Sequence, residues 1–468
     1  MYKDGEHVHP YIPNSVPEIR DEMLKEIGAG SVDELLSVIP ERLRLNRALD
    51  LPEPLPAEHE LRGHVERILS RNKACKEYLS FLGGGCWQHY VPAVCDEIGH
   101  RAEFVTAYAG GAYSDLGKWQ AFFEFQSMMG ELLEMDVVGL PTFDWGTAAG
   151  FAIRMAARMT GRGEILVPRT ISPERLAVMR TFCPPEALSG HIEIEPVGYD
   201  MGTGQLDFED LKQKLSPRTA AVYFENPSYL GFIEPQGEEI SEMAHDNGSE
   251  CIVGVDPISL GVLAPPAGYG ADLVCGEIQP LGIHMNYGGG LGGFIASGDE
   301  AEYVAEYPLH MVSITETARE GELGFGLCTP ERTLYMEREK GKDFTGTTVG
   351  LWTVVAAVYL ALMGPEGMRE VGEVIMERSH YAAGLLSEVE GVEVVFSPRF
   401  FKEFVVNFGT DKPVRDINEE LLGHKIFGGK DISGEFPELG NSALYCVTEV
   451  HSKEDVERLA GALEEVVG

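Results

Sequence analysis

Apolar and polar positions follow two alternating patterns along the middle of the chain. From residue 57 to residue 345, stretches with an apolar residue at every third or fourth position give way to short, nearly continuous apolar runs. The first pattern is typical of helices with one buried face, and the second of strands buried on both faces. Their alternation predicts an α/β domain with a mostly parallel sheet. We predict helices at 58–76, 118–133, 147–159, 173–182, 207–214 and 236–247, and strands at 164–168, 191–197, 219–224, 251–255, 272–275 and 292–296.

The last quarter of the chain, residues 346–468, has a different order of patterns. A long helical pattern leads to strands and shorter helices, which predicts a small C-terminal α+β domain. The longest apolar run, 351–363, is too short to cross a bilayer and is expected to form a buried helix. The elements predicted here are helices at 352–363, 366–389, 416–424 and 452–466, and strands at 392–396, 402–408 and 442–448.

Residues 1–56 form neither pattern and are expected to be an arm. Prolines precede a short predicted helix at 18–27, Ser31 and Glu34 have the spacing of a capping box, and a proline-rich linker follows at 49–56. An arm of this length seldom stands alone in solution, so we expect it to wrap a partner. The predicted organisation is therefore an arm (1–56), a large domain (57–345) and a small domain (346–468).

The charge of the chain restricts its partners. Its 75 acidic and 37 basic residues give a net charge of −38, which repels nucleic acids and anionic membranes. The acidity fits a cytoplasm of high salt content, or simply an acidic protein.

None of the eight cysteines forms a C-x-x-C pair, and residues 1–15 carry no apolar signal segment. Both observations predict a cytoplasmic protein with reduced thiols.

The distribution of lysines is the most informative feature of the chemistry. No lysine occurs between Lys214 and Lys340, although this stretch carries the motifs NPSYLG (226–231), VDPISLG (255–261) and YGGGLGG (287–293). The order of these motifs resembles the core of fold-type I pyridoxal-phosphate enzymes. In those enzymes a lysine that follows the Asp-bearing strand holds the cofactor as a Schiff base. Its absence favours a non-catalytic half of a two-subunit enzyme.

Several residues resemble the remainder of such a cofactor pocket. Asp144, Gly146 and Thr147 open a predicted helix, where fold-type I enzymes bind the cofactor phosphate. A simple N-cap by Asp144 or Thr147 explains the same residues. Asp256 ends a predicted strand, where an Asp pairs with the pyridine nitrogen in those enzymes. An Asp-Pro pair is also a common start of a turn.

Two glycine runs lie near histidines. Three glycines at 83–85 precede His89 and Tyr90, and their backbone suits close approach to a ligand, a neighbouring chain or packed aromatic rings. His284 precedes the second run, at 288–290, and a single histidine of this kind is often structural. No cluster of His, Cys and Asp has the spacing of a metal site.

Long segments also resemble one known family, subunit 1 of the two-subunit glycine decarboxylase, which is the P-protein of the glycine cleavage system. They include the arm, the S-F-L-G-x-G-x-x-x-H-Y-x-P-A-V signature at 80–94, and the ends of both domains. The resemblance implies a fold-type I aminotransferase-like architecture. The matching segments are 11–24, 30–52, 80–94, 120–137, 166–179, 268–282, 354–371 and 447–459.

The resemblance accounts for the missing lysine. In this family subunit 1 carries a glutamine at the place of the cofactor lysine, here Gln279, and the lysine belongs to subunit 2. It implies that pyridoxal phosphate is bound mainly by the partner, with no covalent attachment here. It further implies an α2β2 assembly that decarboxylates glycine and passes the aminomethyl group to the lipoyl arm of H-protein.

Some loops depart from the family pattern, namely 106–117, 141–148, 278–280 and 344–349. The departures leave open a divergent paralogue with another amino acid or acceptor, an inert scaffold for a subunit 2 homologue, or a separate protein that binds an acidic metabolite. If the chain contributes to an interfacial site, these loops and the first glycine run are the expected contribution. The residues concerned are Tyr108, Tyr113, His89, Tyr90 and Thr345.

Overall fold

A large sheet forms the centre of the molecule in a computed structural model, as the alternating pattern predicts. Its seven strands lie in the order β2 (Val137–Val138), β8 (Gly293–Ser297), β7 (Leu273–Glu277), β6 (Glu250–Val255), β5 (Thr219–Glu225), β3 (Glu164–Pro168) and β4 (Glu193–Val197). Strands β7, β6, β5, β3 and β4 are parallel, and β8 and β2 are antiparallel to their neighbours. The structure describes residues 16–47, 49–105, 118–332, 339, 341–343, 345, 349–396 and 399–468.

The bounds of the elements agree closely with the apolar pattern in the large domain. The strands in chain order are β1 (Leu79–Ser80), β2 (Val137–Val138), β3 (Glu164–Pro168), β4 (Glu193–Val197), β5 (Thr219–Glu225), β6 (Glu250–Val255), β7 (Leu273–Glu277), β8 (Gly293–Ser297), β9 (Val312–Glu316), β10 (Leu323–Leu327), β11 (Val392–Val395), β12 (Glu403–Phe408), β13 (Ile426–Phe427), β14 (Lys430–Asp431) and β15 (Ser442–Cys446). The helices are α1 (Pro17–Glu26), α2 (Val32–Leu35), α3 (Glu58–Leu69), α4 (Ala93–Gly99), α5 (Ala102–Val105), α6 (Trp119–Leu133), α7 (Trp145–Thr160), α8 (Pro173–Thr181), α9 (Phe208–Lys214), α10 (Gly237–Asp246), α11 (Ala301–Glu306), α12 (Gly350–Leu386), α13 (Val414–Gly423) and α14 (Lys453–Val467).

Helices cover both faces of the sheet, which explains why its strands are apolar throughout. Ile165 and Val167 of β3 pack on one face with α7 and α8, while Leu166 packs on the other face with α6, α10 and α12. Successive side chains of a strand point to opposite faces, so both faces must be apolar to be buried. The resulting layers hold the strand ends in fixed positions.

The C-terminal part is an α+β unit with its own antiparallel sheet, in the order β11-β12-β15-β14. The second half of α12, together with α13 and α14, buries this sheet in a separate apolar cluster. Helix α12 is long and apolar enough to cross a membrane by length and composition, but half of it packs in the core of the large domain. Gly364 interrupts it with φ 58° and ψ −177°, just before Pro365.

The N-terminal segment is a separate compact unit, Met1–Lys73, and the rest of the chain, Ala74–Gly468, is another. Helix α3 lies in the first unit and ends at Leu69 rather than at the predicted residue 76, while the domain boundary at residue 56 stays a prediction. Ser31 Oγ accepts the N–H of Glu34 as expected. The Glu34 carboxylate accepts the N–H of Gly30 rather than that of Ser31, so the capping box is incomplete. None of the described residues of this unit is buried.

Candidate functional site

Three acidic residues meet at the carboxyl edge of the large sheet. Glu225 ends β5, Asp256 follows β6 and Glu277 ends β7, and these three strands are neighbours in the sheet. All three side chains are buried. The carboxyl ends of parallel strands are the usual place for ligands in α/β proteins. This edge is therefore the candidate functional site.

Asp256 is paired with a lysine from the small domain. Lys402 precedes β12, and its Nζ lies 2.6 Å from Asp256 Oδ2, with both side chains almost fully buried. Asp256 Oδ1 accepts the N–H of Ile258, so the residue also starts a turn. Lys402 Nζ lies 3.6 Å from the centre of the Trp87 ring. A cation of this chain thus stands against the carboxylate that would face a cofactor's pyridine nitrogen.

Gln279 holds the backbone of Trp87 at two points. Its Oε1 accepts the N–H of Trp87 at 3.0 Å, and its Nε2 donates to the carbonyl of Trp87 at 3.0 Å and to that of Ile283 at 2.9 Å. Gln279 is 1% exposed, so these bonds satisfy a fully buried amide. Gln279 therefore holds the segment that follows the first glycine run in a fixed position, and its expected place as the counterpart of a cofactor lysine stays a prediction.

Glu277 connects the same edge to the start of α7. Its carboxyl group accepts the backbone N–H groups of Trp145, Gln279 and Gly292. Burial raises the pKa of Glu277 to about 8, even though these hydrogen bonds lower it. The side chain joins three segments and has no free oxygen for a ligand.

The start of α7 is capped by its own chain. Asp144 Oδ1 accepts the N–H of Thr147 at 2.6 Å. A carboxylate here stabilises the helix by satisfying an unpaired N–H group and by facing the positive end of the helix dipole. It also occupies the direction from which a phosphate would approach. A Cβ on Gly146 would lie 3.0 Å from Val178, so this residue packs closely on α8.

A second buried ion pair adjoins the pocket. Arg175 Nη1 donates to Glu225 Oε1 at 2.9 Å, and Tyr223 Oη donates to the same oxygen at 2.8 Å. The guanidinium lies 3.8 Å from the centre of the Trp145 ring. Burial raises the pKa of Glu225, while Arg175 and Tyr223 lower it.

Pyridoxal phosphate does not fit among these side chains. The cavity bounded by Trp87, Trp145, Arg175, Asp256 and Lys402 measures about 20 Å³, which is room for about one water molecule. A separate cavity of about 250 Å³ is lined by Gln279, His284 and their neighbours, and Trp87 is the residue that the two linings share. The residues expected to form a cofactor pocket therefore line two separate cavities, and the one beside Asp256 is nearly filled by this chain's own side chains.

The expected interfacial residues fall in different environments. His89 is buried, with Nδ1 2.8 Å from Glu449 Oε2 and Nε2 3.1 Å from Lys402 Nζ, and does not lie on an exposed loop. Tyr90 is 63% exposed. Thr345 is partly buried, and its N–H donates to the carbonyl of Pro308. Tyr108 and Tyr113 lie outside the described residues, and the interfacial role of all five stays a prediction.

The glycine runs and His284 have local partners. Gly84, with φ 100°, donates its N–H to Glu403 Oε1 at 2.6 Å, so the first run approaches a carboxylate of its own chain. His284 Nε2 lies 3.1 Å from Asp96 Oδ1 near the surface. No group of three His, Cys, Asp or Glu side chains in the described part of the chain is arranged to hold a metal ion.

Sequence reasoning missed Lys402, Trp87 and Glu449. One signal was present, because Lys402 and Glu403 interrupt an apolar run from Phe400 to Phe408, where charged residues must find buried partners. Their partners are far away in sequence and could not be read from the pattern. Of the two aspartates expected in a cofactor pocket, Asp256 lines the small cavity and is paired with Lys402, whereas Asp144 caps α7 and is not among the residues that line either cavity.

Replacing Glu449 by Gln is expected to make the free energy of unfolding depend less on pH in the acid range. Burial raises the pKa of Glu449, but the hydrogen bonds that its carboxylate accepts from His89 Nδ1 and from the N–H of Tyr90 outweigh burial and hold the pKa below its usual range. The carboxylate therefore stabilises the fold above pH 4.5, and this stability is lost as the pH falls toward 2. We expect Glu449→Gln to lose about 1–3 kcal/mol at neutral pH, because it replaces the charged acceptor of two partly buried hydrogen bonds by a neutral amide.

Chemical denaturation of wild type and Glu449→Gln across this pH range measures the effect. The two curves should converge near pH 2, because the wild-type carboxyl group is then protonated as well. A difference in the free energy of unfolding that stays the same at every pH would contradict the lowered pKa of Glu449. Glu454→Gln, in the first turn of α14, is a control that should show no such convergence.

Comparisons with known proteins agree along the whole chain. A sequence model of the glycine cleavage system P-protein family matches residues 9–463. The probable glycine dehydrogenase (decarboxylating) subunit 1 of Staphylothermus marinus is 39% identical over 468 residues, covering 98% of each chain. A crystal structure of a glycine decarboxylase (P-protein) in inhibitor-bound form is 34% identical, with a TM-score of 0.85 over 98% of this chain and 100% of that one.

A more remote structure supports the fold class alone. The sphingosine-1-phosphate lyase of Burkholderia pseudomallei is 16% identical, with a TM-score of 0.64 over 92% of this chain and 94% of that one. The predicted fold-type I architecture is confirmed.

Proposed function

This chain belongs to the glycine cleavage system P-protein family, and from that premise we propose that it is subunit 1 of a two-subunit, pyridoxal-phosphate-dependent glycine decarboxylase. The observation that carries the proposal is the closed pocket beside Asp256, together with Gln279, which stands where the resemblance implies a cofactor lysine and binds the backbone of Trp87. A chain with this pocket needs another subunit to hold the cofactor. Full-length relatives named as subunit 1 favour this reading over a divergent paralogue.

The assignment divides the work between two subunits. Pyridoxal phosphate, bound mainly by a lysine-bearing subunit 2-like partner, supplies the electron sink for the loss of CO2 from glycine. The aminomethyl group then passes to the lipoyl arm of H-protein. This chain contributes fixed backbone and exposed side chains, among them Tyr90, to the partner's site. Glycine is a small substrate, so such contacts orient it and exclude water.

The N-terminal unit supports the need for a partner. Its helices carry exposed apolar side chains, including Met23, Leu61, Val65 and Ile68, and none of its described residues is buried. Apolar surface of this extent usually marks a protein interface. We propose an α2β2 assembly in the cytoplasm, in which each obligate interface buries on the order of 2,000 Å² or more.

Exchange of CO2 with carboxyl-labelled glycine tests the proposed function. The chain purified together with its subunit 2-like partner should exchange the label, with H-protein present, and neither subunit should do so by itself. Gel filtration of the same mixture is the control for assembly. Two independent monomer peaks, or an intact complex without exchange, would contradict the proposal. The second outcome would favour an inert scaffold.

A further inference from the structure

Five residues form a continuous set of contacts from the closed pocket to the surface. Asp256 Oδ2 lies 2.6 Å from Lys402 Nζ, which lies 3.1 Å from His89 Nε2. His89 Nδ1 lies 2.8 Å from Glu449 Oε2, and Glu449 Oε1 accepts the N–H of Tyr90 at 2.7 Å. Only the last residue, Tyr90, is exposed. The series therefore links a buried carboxylate to a side chain that can reach another molecule.

The donors and acceptors fix the orientation of every group in this series. An ammonium group can only donate, so His89 Nε2 accepts from Lys402 and carries no proton. The proton of the neutral ring is then on Nδ1 and is donated to Glu449. Glu449 is left with its other oxygen for the N–H of Tyr90. Removing the ammonium frees His89 to turn or to change tautomer.

The segment that carries Tyr90 is held from both sides. Gln279 clamps the backbone of Trp87, and Thr448 Oγ1 donates to the carbonyl of Gln88. Arg378 of α12 donates to the carbonyl of Glu449 and so anchors the other side of the contact with Tyr90. Lys402 is the charged group that joins the pocket to this segment, because it contacts Asp256, His89 and the Trp87 ring together.

We propose that Lys402 is a positioning residue: its ammonium group takes the place of a cofactor's cation against Asp256 and, through His89 and Glu449, fixes the Tyr90 backbone at the partner-facing surface. The inference rests on the proposed function in one respect, namely that Tyr90 faces the partner's site. A purely structural role would require only that Lys402 balance the charge of Asp256. The two roles differ in what happens when both charges are removed together.

The test compares Lys402→Met with Lys402→Met/Asp256→Asn in the full chain. The double variant removes the charge imbalance but also lacks the donor to His89. We expect its melting temperature to return close to wild type, whereas the Tyr90 amide should exchange hydrogen about tenfold faster or more in both variants. In the complex with subunit 2, both should lower the turnover of labelled CO2 exchange by about tenfold, with a smaller effect on KM.

Lys453→Met is the matched control, because among the described residues Lys453 forms an ion pair only with Glu457, and this pair is exposed. It should change neither Tyr90 exchange nor turnover. Recovery of wild-type Tyr90 exchange and turnover in the double variant would overturn the proposal. If neither Lys402 variant folds, His89→Phe keeps the Lys402–Asp256 pair and breaks the series. Unchanged Tyr90 exchange in that variant would overturn the proposal too.

The two readouts separate the two proposals. Hydrogen exchange at Tyr90 is measured in this chain and requires no activity. A wild-type complex that shows no CO2 exchange therefore counts against the proposed function, while the exchange of the Tyr90 amide still decides whether Lys402 positions the segment. Faster amide exchange with unchanged turnover would overturn the functional part of the inference.

Discussion

Replacement of Lys402 by Met is expected to lower the free energy of unfolding by about 3–5 kcal/mol. The side chains of Lys402 and Asp256 are 3% and 6% exposed, so the substitution leaves a carboxylate buried without its cation. Asp256 keeps the N–H of Ile258, which offsets only part of the lost interaction. Asp256→Asn should be destabilising for the converse reason, since it leaves the ammonium without a counter-charge.

The double variant Lys402→Met/Asp256→Asn should recover most of this loss. Removing both charges removes the desolvation cost of each, and a neutral pair of similar volume is often as stable as the original ion pair. Urea unfolding of the wild type, the two single variants and the double variant measures the coupling free energy. If the losses of the two single variants add in the double variant, the predicted coupling between Lys402 and Asp256 is wrong. Lys453→Met should cost about 0.5 kcal/mol or less.

Replacement of Gln279 by Lys is expected to destabilise the chain without giving it a covalent cofactor. The introduced amine can donate to the carbonyls of Trp87 and Ile283, but it cannot accept the N–H of Trp87 that Gln279 now accepts. An unpaired buried N–H together with a buried charge should cost about 2–4 kcal/mol. Trp87 and Lys402 still fill the space that pyridoxal phosphate would need.

Borohydride reduction after incubation with pyridoxal phosphate checks this expectation. The absence of label at position 279 of the Gln279→Lys variant, together with a lower melting temperature, is the expected result. Gln279→Met is the matched variant, because it removes the clamp without adding a charge. A reducible chromophore on the introduced amine would contradict the closed pocket and would mean that only the lysine is missing.

The fold follows from local patterns to a large extent. The strand at 164–168 has the predicted bounds, and the bounds of the other predicted strands of the large sheet lie within one or two residues of those observed. The agreement is close because a strand that is buried on both faces must be an unbroken apolar run. The hairpin of β9 and β10 was not predicted. Its residues include exposed Ile314, Leu323 and Phe325, and such a strand pair lacks the continuous apolar run.

The candidate site is less predictable because its chemistry depends on contacts between remote segments. The sequence identifies Asp256 through its place after a strand and Gln279 through the family resemblance, but it cannot show that Lys402 and Trp87 enter the same pocket. His89 illustrates the difference. A histidine after a glycine run suggests an exposed loop, yet the ring is buried, since Glu449 and Lys402 satisfy both of its nitrogens.

The mutual contacts of Gln279, Trp87, Lys402 and Asp256 also constrain how the sequence can change over evolutionary time. Gln279 satisfies the buried backbone of Trp87, and Lys402 and Asp256 balance each other's charge, so a single substitution at Gln279, Lys402 or Asp256 leaves a buried group unsatisfied. Neutral drift at these positions must therefore proceed by compensated changes, whereas the exposed ring of Tyr90 is free of this constraint. A return to cofactor binding would need several substitutions at once, which makes the closure of the pocket difficult to reverse.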